Sequence, residues 1–173
     1  MCIRDSTWSF LRKTLTRDTC TEMDRYVSPA LAMPLAAEHS DYDRVDLELH
    51  GVDHSGGSFS VRVFVDDPQA TQETAIEGNS AYAGSFYVFG HGPCLGDEGH
   101  CEVPSGPVSA YDFRAPHALT PLYRRLPITE AVRGRTGDDS TFTVTLVPVT
   151  NVAGEAQSAD ALFFQRLSIV AYS

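Results

Sequence analysis

Lysine is almost absent from this chain of 173 residues: Lys13 stands alone against twelve arginines, a skew that follows genome base composition and carries no mechanism. An excess of positive charge is lacking too. Thirteen basic residues face 23 acidic ones, a formal net charge of −10, and residues 1–40 hold five of each sign, so the whole excess lies in 41–173. Nucleic acid and anionic membrane surfaces are therefore disfavoured as partners. No apolar run approaches the roughly 20 residues that span a bilayer, and Thr7–Phe10 is too short for the core of a signal peptide. There is no Gly-x-Ser-x-Gly elbow, no phosphate loop and no Gly-x-Gly-x-x-Gly fingerprint, so a complete catalytic set is missing. Only four cysteines occur, and Cys2 and Cys20 have no chemical context.

What is present suits one globular domain: 42% apolar residues, 21% charged, nine Phe and seven Tyr. The opening Met1-Cys2-Ile3-Arg4-Asp5-Ser6 fits no helix, strand or export pattern. It looks like a spurious leader at the start of an assembled metagenomic fragment, which would make the chain the tail of a longer protein. Residues 1–41 read as an N-terminal arm or linker, either without a fold of its own or with a helix over about 8–27 before Pro29 and Pro34 break the period. From Tyr42 the texture changes. Val45, Leu47 and Leu49 alternate with Asp46, Glu48 and His50, and Phe59, Val61, Val63 and Val65 with Ser60, Arg62 and Phe64, two half-buried strands expected to pair as a hairpin. Further strands are expected at Gly84–Phe89, Thr141–Val149 and Ala161–Tyr172, with Pro148 at a strand edge or end, and a short helix at Ile128–Val132 stopping at Gly134. The fold class is all-β: an antiparallel sandwich or barrel of about six to eight strands over residues 42–173.

The densest chemistry lies in Phe89-Gly90-His91-Gly92-Pro93-Cys94-Leu95-Gly96-Asp97-Glu98-Gly99-His100-Cys101. Imidazole and thiolate are the ligands that copper and zinc prefer, and the glycines let backbone wrap an ion, so His91, Cys94, His100 and Cys101 are the candidate metal ligands. His100 and Cys101 are neighbours, however, and on extended chain would point to opposite faces. The bland alternative is a Cys94–Cys101 disulfide, contributing about 2.5 kcal/mol on the chain-entropy model, or two reduced structural thiols. His50-Gly51-Val52-Asp53-His54 has the His-x-x-x-His spacing without the helix that gives it meaning, and reads as two solvated loop histidines. His39 and His117 read as surface or hydrogen-bonded residues. Asp138-Asp139 reads as a turn, with calcium a weak option for two hard ligands.

Five motifs in one order add a resemblance. They are Tyr82-Ala83-Gly84-Ser85-Phe86, Phe89-Gly90-His91-Gly92, Gly99-His100-Cys101-Glu102-Val103-Pro104, Tyr111-Asp112-Phe113-Arg114 and His117-Ala118-Leu119-Thr120-Pro121. Together, over about Tyr42–Tyr172, the chain resembles the C-terminal domain of tyrosinase-family proteins, the β-sandwich that follows a type 3 copper domain and is similar to the small domain of molluscan haemocyanin. The resemblance implies a domain that packs over the copper site of its catalytic neighbour, shielding the entrance, presenting a placeholder side chain or assisting metal delivery. It offers His91, Cys94, His100 and Cys101 for delivery and Phe86 or Phe89 as shielding aromatics. In that family each of two coppers is held by three helical histidines, whereas this chain has six histidines in all and none on a convincing helix pair. It should not oxidise phenols or catechols alone.

Three functional classes follow. The first is a non-catalytic domain or fragment of a tyrosinase-like copper oxidase, whose partner, the type 3 copper domain, lies upstream or in a separate chain; an exposed apolar patch should mark where the partner belongs. The second is a free-standing copper-binding or copper-transfer protein using the His/Cys loop. The third is a ligand-free structural β-sandwich. The resemblance leans toward a secreted or periplasmic setting.

Overall fold

The computed structural model describes residues 25–33, 42–92, 110–111, 119–135, 140–150 and 161–173. Among the described residues the strands are β1 (Tyr26–Val27), β2 (Leu31–Ala32), β3 (Arg44–Val52), β4 (Phe59–Val65), β5 (Tyr82–Val88), β6 (Leu122–Pro127), β7 (Thr141–Phe142), β8 (Val144–Thr150) and β9 (Arg166–Tyr172), with one short helix, α1 (Thr129–Arg133). All pairings are antiparallel. A four-stranded sheet runs β1-β8-β4-β5, a three-stranded sheet β6-β3-β9, and β2 pairs with β7. This is an all-β sandwich, as the alternating patterns require.

Period-two alternation works on both sheets. Val45, Leu47, Leu49 and Val52 of β3 meet Phe59, Val61, Val63 and Val65 of β4 in one core, joined by Phe86, Val88, Val144 and Leu146. Phe64 should face out by the same alternation, yet it is fully buried with Ala70 and Val147 in a second cluster, against Tyr82. Segment 66–81 carries Ala70 over that face, and Asp66 starts the turn at φ 54, a conformation Asp tolerates. Its Oδ1 accepts from the Thr143 N–H at 2.8 Å and its Oδ2 pairs with Arg135 Nε at 2.6 Å.

The expected hairpin between the first two strands does not form: β3 pairs with β6 and β9, and β4 with β5 and β8. Segment 53–58 instead crosses from one sheet to the other. Both strands carry an apolar inward face, so each is satisfied equally well across the core as alongside its neighbour. Residues 25–33, placed by the sequence in the arm, supply β1 and β2. Strand β6 has no counterpart among the expected strands.

Pro148 lies inside β8, opposite Val61, but beyond the stretch of β8 that β1 covers, so its missing N–H breaks no described ladder. Its carbonyl accepts from Gln72 Nε2 at 3.0 Å. Helix α1 closes the end of the sandwich where β3 begins. Ile128 donates to the Val45 carbonyl, Thr129 Oγ1 accepts from the Val45 N–H, and Ile128, Ala131 and Val132 are buried. At the open side, Arg124 of β6 reaches to the Tyr87 carbonyl on β5 at 3.2 Å, bridging the two sheets.

Candidate functional site

Two constellations of chemistry-bearing side chains stand out, at different places on the sandwich. The first is a clasp between segments 53–58 and 89–92. The His91 N–H donates to the His54 carbonyl at 2.9 Å, the Gly92 N–H to the Gly56 carbonyl at 2.8 Å, and the Gly90 N–H to Ser58 Oγ at 3.0 Å. Glycine is required on one side of this contact: a Cβ on Gly90 would run into the backbone of Gly56 and Gly57, and one on Gly92 would stand 2.9 Å from the Ser55 carbonyl oxygen.

The clasp brings two imidazoles together. His54 is 7% exposed, and its Nε2 lies 2.8 Å from the Thr120 carbonyl oxygen. A carbonyl only accepts, so Nε2 carries the proton and, in the neutral ring, Nδ1 holds the lone pair. The His91 ring stands edge-on to His54 with centroids 4.8 Å apart, and its Nδ1 is buried without a hydrogen-bond partner. Leaving such a nitrogen unpaired costs about 1–3 kcal/mol, and nothing in the fold of the described residues repays it. Phe89 lies edge-on to His91 at 5.7 Å and is 74% exposed, as Tyr87 two residues earlier is 73% exposed.

The second constellation is on the outer face of the three-stranded sheet. Asp46 is fully buried there: Arg44 Nε stands 2.6 Å from its Oδ1 and Arg125 Nε 3.5 Å from its Oδ2, the latter too long for a good hydrogen bond. Two residues on, Glu48 Oε1 accepts from the Tyr123 hydroxyl at 2.6 Å. That bond holds the Glu48 carboxyl below the usual carboxylate range and raises the Tyr123 phenol, while the bond to Asp46 raises Arg44. Glu48 Oε2 also lies 3.3 Å from His50 Nε2, which is 3.1 Å from Arg166 Nη2. One is an acceptor and the other a donor, so Nε2 serves one at a time. His50 faces Tyr123 and Arg166 across the ladder, and Glu48 faces Arg125 and Ser168, so the network joins all three strands and fits cross-strand stabilisation.

Against the sequence expectations, His91 is placed in the clasp, whereas Cys94, His100 and Cys101 lie outside the described residues, as do His39, His117 and Asp138-Asp139. His50 and His54 do not converge: a glycine bulge at Gly51, φ +70, separates them, and they join different constellations. Reading His54 as a solvated loop histidine is corrected, because the Thr120 carbonyl and the His91 ring bury it. Phe86 is also ruled out as a shielding aromatic, since it is 8% exposed and belongs to the core; Phe89 stays available. The Asp46–Glu48–Tyr123 network was missed because its partners come from β6. Its signal in the sequence was acid alternating with apolar residues in β3. Among the described residues no group of three or more His, Cys, Asp or Glu side chains could hold a metal ion, and no helix is long and apolar enough to cross a membrane.

No protein-family model matches the sequence, and no curated protein matches it either. Solved structures do. Recombinant latent aurone synthase, a polyphenol oxidase, matches at a TM-score of 0.50 and 18% identity, over 89% of this chain and 25% of its own. The same enzyme co-crystallised with hexatungstotellurate(VI) gives 0.51 and 17%, over 89% of this chain and 26% of its own. At such identity the likeness establishes the fold alone, and the chain spans about a quarter of the length of the polyphenol oxidase chains whose sandwich it shares.

Proposed function

We propose that this chain is a non-catalytic domain of a tyrosinase-like copper oxidase, which covers and stabilises a type 3 copper domain that carries out phenol or catechol oxidation. The observation that carries the reading is the pair Tyr87 and Phe89, both about three-quarters exposed at the end of β5. Large aromatics left in water beside a glycine-rich loop are an unfilled contact, and Phe89 falls in one of the motifs behind the tyrosinase resemblance. The share of the polyphenol oxidase chains that this chain matches supports the same reading, because it leaves room for a separate catalytic domain. Residues 42–173, with strands β1 and β2 of segment 25–33 paired onto them, would be the covering domain.

The test is reconstitution with a type 3 copper domain freed of its own C-terminal part, following diphenol oxidation and melting. The wild-type chain should slow oxidation in a dose-dependent way and raise the melting temperature of the copper domain. Tyr87→Ser with Phe89→Ser should weaken docking by about 3 kcal/mol, roughly 100-fold, as for the loss of two aromatic anchors. Diphenol oxidation by the chain alone, or slowing that the double substitution leaves unchanged, would overturn the reading.

A further inference from the structure

We propose that His54 and His91 form a two-imidazole site for a transition-metal ion of the copper class. Four observations converge on it. The ring centroids are 4.8 Å apart. Two imidazoles on one ion, with metal–nitrogen bonds of about 2.0–2.1 Å, place their centroids roughly 4.5 Å apart at a right angle between the bonds and roughly 5.2 Å at the tetrahedral angle. The observed spacing falls between these.

The protonation of His54 is set for the task. Metal-bound histidines generally donate their other N–H to a carbonyl or carboxylate, which fixes the tautomer and raises ligand basicity. The Thr120 carbonyl at 2.8 Å from His54 Nε2 is such a partner, and it leaves Nδ1 as the ligand atom. His91 supplies the third observation: its Nδ1 is buried and unpartnered, a lone pair or proton without a described use. The fourth is the backbone. Three hydrogen bonds and the glycine contacts at Gly90 and Gly92 fix the approach of the two segments before any ion arrives, so the pair is preorganised by the fold.

The donor set selects the ion. Two imidazoles with no third described His, Cys, Asp or Glu placed to complete a ligand group are poor ligands for magnesium or calcium and good ones for Cu(II), Ni(II) and Zn(II), with Cu(II) the tightest in the usual order. With two protein ligands and solvent in the remaining positions, affinity should be roughly micromolar. This goes beyond the covering role, and it is testable on the chain by itself.

The experiment titrates Cu(II) alone into the full chain carrying Cys2, Cys20, Cys94 and Cys101 all changed to Ser, so that thiols neither reduce nor capture the ion. Binding is read by electron paramagnetic resonance, with pulsed detection counting coordinated imidazoles. One Cu(II) per chain with two imidazoles is expected, and His54→Gln and His91→Gln should each weaken it at least tenfold, while His100→Gln and His117→Gln leave it unchanged. Because His54 is buried and its replacement could disturb folding, His91→Gln and the imidazole count on the chain with both histidines intact stand as independent readouts. Fewer than two imidazoles, affinity insensitive to His91→Gln, or loss of binding on His100→Gln or His117→Gln would each overturn the site.

Discussion

Gly90→Ala should be disproportionately damaging for a single methyl group near the protein surface. Gly90 is not among the glycines with positive φ, so alanine can adopt its backbone conformation, and the substitution tests contact alone. The new Cβ would meet the backbone of Gly56 and Gly57, which cannot swing aside as a side-chain tip can. The segments must separate, straining or losing the bonds from His91 to His54, Gly92 to Gly56 and Gly90 to Ser58. Overpacking costs about 1–3 kcal/mol, and three surface-accessible bonds at a net value of about 1 kcal/mol each set a similar ceiling. For a chain of this size that lowers the melting temperature by roughly 3–10 °C. The other side of the contact supplies the control. A Cβ on Gly56 or Gly57 meets nothing within 4 Å, so Gly56→Ala and Gly57→Ala should be neutral or, through a stiffer unfolded chain, stabilising by up to about 1 kcal/mol. Circular-dichroism melts of the three variants decide it. If Gly90→Ala melts with the wild type, or all three fall together, the backbone clasp is not what positions His54 and His91.

The remaining predictions concern the two faces of the sandwich. Phe64→Ala should cost about 3–5 kcal/mol in urea unfolding, because Phe64 is fully buried beneath segment 66–81; a loss under 1 kcal/mol would mean that segment does not cover it. Glu48 should contribute acid-sensitive stability. Its folded carboxyl titrates below its unfolded value, so the contribution is complete above the unfolded value of about 4.3 and disappears as pH falls through the folded one. The difference in melting temperature between wild type and Glu48→Gln should therefore be largest near neutrality and vanish in acid, and a difference that grows toward acid would reverse the sign of the argument. Tyr123→Phe should move the Glu48 carboxyl back up toward the ordinary range in a carbon-detected NMR titration, since the Tyr123 hydroxyl is the main cause of its depression.

Periodicity in the sequence located the long strands because their inward faces are unbroken runs of Val, Leu and Phe at every second position. It failed where neighbours carry the information. Strand β6 also alternates, with Leu122, Arg124 and Leu126 turned from solvent and Tyr123, Arg125 and Pro127 exposed, but two adjacent arginines and a terminal proline hide a period of two. Its charge is explained only by the acids opposite: Arg125 faces Glu48 in register and pairs with the buried Asp46. Strands β1 and β2, of two residues each, are too short to show any period and exist because β8 and β7 offer open edges. The β3–β4 misassignment has a different origin, since alternation states which face is buried and never which strand lies alongside. Of the candidate site, the sequence singled out the glycines and His91 as a dense local cluster. His54 reads as a solvated loop histidine in the sequence because its partners, Thr120 and His91, are distant in the chain and bury it only after the sheets have packed.

The proposed docking aromatics and the proposed metal pair are physically continuous, and that makes them thermodynamically dependent. Phe89 is at once the exposed side chain offered to a partner and the ring lying 5.7 Å from His91, and Tyr87 is tied through its carbonyl to Arg124 on the opposite sheet. A metal ion that fixes His91 restricts the segment on which Phe89 rides, and a partner that buries Phe89 restricts the segment on which His91 rides. Linkage then requires one coupling factor in both directions: the change in docking affinity on adding Cu(II) must equal the change in Cu(II) affinity on adding the partner domain. With the backbone already held by the clasp, prepaid ordering of the His91 and Phe89 side chains makes that factor favourable, of the order of 5–150-fold for typical couplings. The two titrations share no observable, one reading oxidation rate and the other the copper spectrum, so agreement between them cannot arise from a common artefact. Equal factors above one would establish the end of β5 as a single device in which covering and metal binding are coupled. A factor of one in both directions would separate the metal pair from the covering face, leaving Phe89 an anchor whose proximity to His91 has no energetic consequence.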